Sequence, residues 1–213
     1  MKLSVSILSM KDEVDIVEKI KKLTCFDVDY LHIDIMDGHF VLDKTWNVSN
    51  IETILKNNSK LLDIHLMVED VKKYINDFSK LNPEYITFHY EATNNPMNEI
   101  NLIKQKNIKV GISIKPDTDV KKLLPYLEYV DLVLIMSVEP GKGGQKFLDS
   151  SIEKIDYLYK IRKKCNYKYV IEVDGGVNIE TIDKCKKCDI VVVGSYITKN
   201  NYEESINKLR LKF

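Results

Sequence analysis

Charge of one sign is missing from this chain. Its 213 residues carry 32 Lys+Arg and 32 Asp+Glu, so the formal net charge is zero. Nothing in that balance points to nucleic acid or to an anionic membrane as a partner. Long apolar runs are missing too, since none reaches the roughly 18 residues of a bilayer span. The stretch from Met1 to Leu8 is too short for the apolar core of a secretion signal and reads as a strand. Cysteine is scarce, at four residues. Without a secretion signal these read as reduced thiols in a cytoplasmic protein. The close pair Cys185-Lys186-Lys187-Cys188 reads as incidental rather than as a zinc or redox motif. Glycine and proline are few, at eight and five. With abundant Lys and Asn this reflects coding bias rather than disorder, because the apolar periodicity is not interrupted. No GxGxxG follows the first apolar run and no GxxxxGK[ST] loop occurs, which disfavours a dinucleotide fold and phosphoryl transfer.

What is present is an alternation of two periods. Apolar β-type runs occupy Leu3–Leu8, Tyr30–Ile35, Leu62–Met67, Tyr85–His89, Lys109–Ile114, Leu132–Met136, Tyr169–Val173 and Ile190–Val193. Helical periodicity follows each of them. It covers Glu13–Leu23, with Val14, Val17 and Ile20 on one side, then Asn50–Lys56, Val71–Lys80, Met97–Lys106, Asp119–Leu127, Ser150–Lys164, Ile179–Lys187 and Glu203–Leu211. Eight such units in a chain of this length predict an α/β fold. The form expected is a single-domain (β/α)8 barrel over residues 1–213, with a parallel eight-stranded barrel inside and helices outside.

The second run organises the rest. In Tyr30-Leu31-His32-Ile33-Asp34-Ile35-Met36-Asp37-Gly38, residues two apart share a face, so His32, Asp34 and Met36 point one way. A buried imidazole and carboxylate need partners. Barrels of this class place their active sites at the C-terminal ends of the strands. Polar residues gather at those ends: Ser6, Ser9, His32, Asp34, His65, His89, Ser137, Glu172, Asp174 and Ser195. His32, Asp34, His65 and Asp174 could converge on a divalent ion, and two imidazoles with two carboxylates suit Zn, Fe(II), Mn or Co. The alternative is an imidazole–carboxylate network without metal. Asp174-Gly175-Gly176 and Gly194-Ser195 offer bare backbone amides to a phosphate. The segment Glu139-Pro140-Gly141-Lys142-Gly143-Gly144-Gln145 looks like a mobile loop that closes on it. A phosphate grip, a metal and two carboxylates suggest proton transfer beside a carbonyl, with the metal holding the enediolate oxygens and Asp34 and Asp174 as base and acid on opposite faces of one carbon. Met36, Met67 and Met136 recur at strand ends, as a dry wall beside the anion or as ordinary core.

These residues carry a resemblance. Ser6-Ile7-Leu8-Ser9, the run from Tyr30 to Val41, Asp63-Ile64-His65-Leu66-Met67-Val68, Thr87-Phe88-His89, Met136-Ser137-Val138-Glu139-Pro140-Gly141, Gly143-Gly144-Gln145-Lys146-Phe147 and Glu172-Val173-Asp174-Gly175-Gly176-Val177 stand in order along the chain. Over essentially its whole length the sequence resembles the ribulose-phosphate 3-epimerase family. The resemblance implies interconversion of D-ribulose 5-phosphate and D-xylulose 5-phosphate in the pentose phosphate pathway. It implies one divalent ion on His32, Asp34, His65 and Asp174, with Asp34 and Asp174 as the acid/base pair. It places Ser6 and His65 against the substrate, and Gly141, Gly143, Gly144, Gly175, Gly176, Gly194 and Ser195 around the substrate and its phosphate. It also implies a homo-oligomer. Lys142 departs from the family's usual Phe or Met at the loop tip; its charge either joins the phosphate grip or is solvated, and the second reading is favoured. A hexulose 6-phosphate such as allulose 6-phosphate is the rival substrate, and a non-catalytic sugar-phosphate-binding barrel the rival role.

Overall fold

The computed structural model describes residues 1–56 and 58–213. Eight strands form a closed parallel barrel in sequence order: β1 Lys2–Ser6, β2 Tyr30–Met36, β3 Leu61–Met67, β4 Tyr85–His89, β5 Lys109–Ile114, β6 Leu132–Met136, β7 Val170–Asp174 and β8 Ile190–Val193. The ring closes where Val5 of β1 sits beside Val193 of β8. The α-helices are α1 Ile16–Leu23, α2 Val48–Ile54, α3 Val71–Phe78, α4 Pro96–Gln105, α5 Ser150–Cys165, α6 Ser195–Thr198 and α7 Tyr202–Arg210. None of them is long and apolar enough to cross a membrane. The expected (β/α)8 barrel is the fold.

Both faces of every strand are covered, so the strands need apolar residues outside and tolerate polar ones only within. Leu31, Ile33 and Ile35 of β2, Ile64 and Leu66 of β3 and Val191 and Val193 of β8 face outward into the main core between barrel and helices. The inward face is different. Tyr30, Tyr85, Leu132, Leu134 and Ile190 pack together inside the barrel. The rest of the interior is polar: Ser4, His32, Asp63, His65, Thr87, His89, Ser113 and Glu172 are all fully buried. That much buried polarity is costly unless each group finds a partner.

An aspartate stands just before three of the even-numbered strands and closes the barrel's lower edge. Asp29, Asp131 and Asp189 each accept a hydrogen bond from a backbone N–H at the start of the preceding strand, from Leu3 at 2.8 Å, Val110 at 2.9 Å and Ile171 at 2.7 Å. Otherwise these amides would lack partners where the ladder begins. Asp29 also takes Arg210 Nη2 at 2.7 Å, which ties α7 to the barrel. Burial pushes the Asp29 carboxyl up, but the Leu3 amide and the Arg210 guanidinium outweigh it and hold the pKa below the usual value. A lowered carboxyl pKa contributes stability that is present above the unfolded pKa and lost as pH falls through the folded one. Asp29→Asn is therefore expected to destabilise the fold by about 1 kcal/mol at pH 7, kept small because solvent screens the half-exposed pair. Parallel urea titrations should show the difference shrinking as the pH is taken below 4. A difference independent of pH would mean that packing, not the carboxylate, accounts for it.

Several expected boundaries move. β1 ends at Ser6, and Leu8–Met10 form a 3-10 turn. The first helix starts at Ile16, and it buries Ile16, Ile20 and Leu23. Val14, expected on its apolar side, lies outside it and is fully exposed. Two expected helices shrink to single 3-10 turns, Asp119–Leu127 to Val120–Leu123 and Ile179–Lys187 to Ile182–Cys185. In the first, Leu124 is still helical, but Pro125 has no N–H to donate and the helix cannot go on through it. In the second, Asn178 and Thr181 spend the short connection on a side-chain-bonded turn. Cys185 and Cys188 are buried free thiols, and neither belongs to a cluster of three or more metal-ligating side chains among the described residues.

Candidate active site

Parallel register sets the site. His32 of β2 lies beside Asp63 of β3, Asp34 beside His65, and Met36 beside Met67. On β7, Glu172 and Asp174 follow the same alternation. Ligating atoms of His32, Asp34, His65 and Asp174 come within 4.8 Å of one another, as expected from the sequence. Asp34 is the hub. Its Oδ2 accepts from Ser6 Oγ at 2.7 Å. Its Oδ1 lies 3.2 Å from His65 Nδ1 and 3.4 Å from His32 Nε2.

Donor and acceptor directions test whether a cation fits there. His32 Nδ1 is 2.7 Å from Asp63 Oδ2, a carboxylate oxygen that also accepts from Ser4 Oγ at 3.0 Å. The imidazole must donate on that side. Its proton is then used, and a bare lone pair on Nε2 is left facing Asp34. Among the described residues Nε2 has no hydrogen-bond partner, although it is completely buried. Burial opposes a charge on His32, yet the Asp63 and Asp34 carboxylates outweigh it and raise its pKa well above the usual imidazole value. A dry centre that draws a proton this strongly is short of positive charge. The nitrogen and oxygen donors fit a divalent ion, and Asp63 behind His32 is the arrangement that orients a histidine ligand. Glu172 sits beneath, its carboxyl oxygens within 4.8 Å of ligating atoms of His32 and Asp63. Burial and the Asp63 charge push its pKa well up.

The two central carboxyls are driven apart. Burial alone would raise Asp34, but the two facing imidazoles, His32 ahead of His65, hold it far below the ordinary value. At Asp174 the same histidines act in the same sense but are outweighed. Burial, and then the Asp34 charge, push it up to about 6. Ser137 holds the backbone beneath Asp174, its Oγ donating to the Asp174 carbonyl at 2.9 Å and to Gly175 O at 2.6 Å.

Above this centre opens a cavity of about 460 Å³. Ser6, Asp34 and Asp174 form its floor, and Met36, Met67 and Met136 its wall. Gly141, Lys142, Gly143 and Gly144 line one side, and Gly175, Gly176, Gly194 and Ser195 the other. His32 and His65 are fully buried behind Asp34 rather than at the cavity surface.

The sequence model of the ribulose-phosphate 3 epimerase family matches residues 2–198. The chain is 38% identical to the ribulose-phosphate 3-epimerase of Helicobacter pylori strain J99, covering all of this chain and 95% of that one. It is 38% identical to the enzyme of the same name from Buchnera aphidicola subsp. Baizongia pistaciae, over 85% of this chain and 82% of the relative. This chain belongs to the ribulose-phosphate 3-epimerase family. Among solved structures, 3-hexulose-6-phosphate synthase from Salmonella typhimurium is similar with a TM-score of 0.65 at 19% identity, covering 99% of this chain and 97% of that one. That likeness concerns the fold alone.

The structure brings His32, Asp34, His65 and Asp174 together and puts Ser6, the three methionines and the expected glycines around one cavity, but His65, expected against the substrate, lies behind Asp34 instead. The sequence did not single out the supporting set. Asp63 and Glu172 each precede an expected ligand by two residues, so the period-two rule already put them on the inward face. Only the register stacks them beneath His32. Glu91 was missed altogether, because it lies in a 3-10 turn after β4 where no periodicity speaks for it. His89, noted only as a rim histidine, lies with its Nε2 2.9 Å from His65 Nε2 and its Nδ1 3.3 Å from Glu91 Oε2. Lys199 joins the cavity lining near Ser195 without a sequence signal.

Proposed function

We propose that this member of the family interconverts D-ribulose 5-phosphate and D-xylulose 5-phosphate by moving a proton on and off carbon 3. The observation that carries this reading is the pair Asp34 and Asp174 on one cavity floor, with ligating atoms of His32 and His65 within 4.8 Å and an unpartnered nitrogen on His32. Asp34 is ionised and takes the proton from one face of the carbon. Asp174 returns a proton from the other face, and the reverse reaction exchanges the roles. Ser6 orients the Asp34 carboxylate through its 2.7 Å hydrogen bond. Met36, Met67 and Met136 keep water from the exposed carbanion face and offer it no proton. Backbone amides at Gly175-Gly176 and Gly194-Ser195 receive the phosphate. His32, Asp34, His65 and Asp174 would hold a divalent ion, which would supply positive charge for the oxygens of the enediolate. Zn, Fe(II), Mn and Co all suit that donor set. We read residues 1–213 as one domain that works as a cytoplasmic homo-oligomer.

A coupled assay on D-ribulose 5-phosphate, run before and after chelation on metal-analysed protein, tests this. Activity should fall by at least about 100-fold on metal removal and return on re-addition, the loss expected when charge stabilisation of the transition state is withdrawn. Activity indifferent to complete metal removal would leave the histidines as hydrogen-bonding groups only. Higher kcat/KM on allulose 6-phosphate than on the pentulose would transfer the assignment to the hexulose.

A further inference from the structure

His65 faces Asp34 through Nδ1 and His89 through Nε2. Which nitrogen carries the proton decides whether it can be a ligand, because a protonated Nδ1 has no lone pair to offer. The answer lies two residues further out. Glu91 Oε1 accepts from the Lys115 backbone N–H at 2.9 Å and from the Thr118 hydroxyl. Its Oε2 faces His89 Nδ1 at 3.3 Å. A carboxylate so held has only acceptors to present, so His89 must donate from Nδ1. His89 is fully buried, with Phe40 tilted over its ring at a centroid distance of 4.9 Å. With its proton on Nδ1, its Nε2 is an acceptor. His65 must then donate from Nε2, and its Nδ1 lone pair is turned toward Asp34.

We propose that His89 and Glu91 are positioning residues that fix the tautomer of His65 and keep its Nδ1 open as a ligand. The inference rests on the metal reading given above. It mirrors what Asp63 does for His32, with an imidazole inserted between carboxylate and ligand. Both histidines are thereby locked with a bare nitrogen facing the same Asp34 oxygen, an assembly of lone pairs that only a cation reconciles.

Glu91→Gln tests it sharply. The variant is isosteric, and its amide oxygen remains the natural partner of Lys115 N–H and the Thr118 hydroxyl. The amide NH2 then faces His89 Nδ1 and donates to it. Every donor in the row reverses, and His65 is left protonated on Nδ1. Nitrogen-15 NMR of the histidine rings in the metal-free full-length protein should show His65 protonated on Nε2 in the wild type and on Nδ1 in Glu91→Gln. Titration with Co(II), followed by its absorption bands, should give 10- to 100-fold weaker binding in the variant, the usual cost of losing an orienting partner. His89→Gln keeps an acceptor oxygen for His65 without needing Glu91. It should bind Co(II) within about threefold of the wild type, on the same reasoning. An Nδ1-protonated His65 in the wild type would overturn the proposal, as would an unchanged tautomer and affinity in Glu91→Gln. Absence of Co(II) binding by the wild type with the Nε2–H tautomer intact would sink the metal reading while leaving the tautomer lock in place.

Discussion

Asp174→Asn is expected to lower kcat for epimerisation by about 1,000-fold or more, within the range lost when a positioned acid or base is removed. The substitution keeps the shape of the side chain and one carbonyl oxygen, and the Ser137 contacts go to backbone atoms it does not alter. Folding should therefore survive. What disappears is a group that can carry a proton on its own side of the carbon. Asp34 remains, its carboxylate still held by Ser6. It can still remove and return a proton on its own face. Deuterium from solvent should accordingly enter one epimer at carbon 3 without conversion to the other. Asp34→Asn should show the complementary pattern. Proton NMR of both pentulose phosphates in D2O, beside the coupled assay, reads both effects. Epimerisation by Asp174→Asn within tenfold of the wild-type rate would remove Asp174 from the acid/base pair.

Gly176→Ala is expected to raise KM by at least about tenfold, as befits a misplacement approaching 1 Å in a phosphate-gripping loop. Gly176 has φ +65°, and a Cβ there would stand 2.4 Å from Phe147 N and 2.9 Å from Gln145 O. Those are backbone atoms of the loop after β6, which cannot rotate away. The loop after β7 and the loop after β6 must separate, and both line the cavity where the phosphate is expected. Stability should drop by about 1–3 kcal/mol from the strained backbone and the clash together. Gly144→Ala is the control. It also has positive φ, +74°, but no atom within 4 Å of the added carbon. It should cost only the backbone strain, about 1 kcal/mol, and leave the packing of the two loops intact. Saturation kinetics and thermal melts of the two variants separate the effects. Equal KM values for Gly176→Ala and wild type would mean that this turn does not shape the substrate pocket.

The sequence shows its barrel clearly because both signals involved are local. Apolar alternation along Tyr30–Met36 needs no knowledge of what lies beside it, and all eight expected strands exist. The same rule told which side chains turn inward, so Ser6, His32, Asp34, His65 and Asp174 could be named before any coordinates. Local rules failed where two of them competed. Apolar spacing over Asp119–Leu127 suggested a helix, but Pro125 limits it to a 3-10 turn. Val14 fitted a helical stripe, but the helix starts after it.

The chain by itself determined the fold and the imidazoles and carboxylates that stand on its rim. The tertiary structure alone decided how each polar group is satisfied. Asp63 meets His32, and Glu91 reaches His89, Lys115 and Thr118, because strand register and loop closure put them there. A hydrogen bond is settled by a partner within about 3 Å and by which atom holds the proton. Residues some thirty positions apart in sequence, such as His32 and Asp63, acquire that relation only when neighbouring strands lock together.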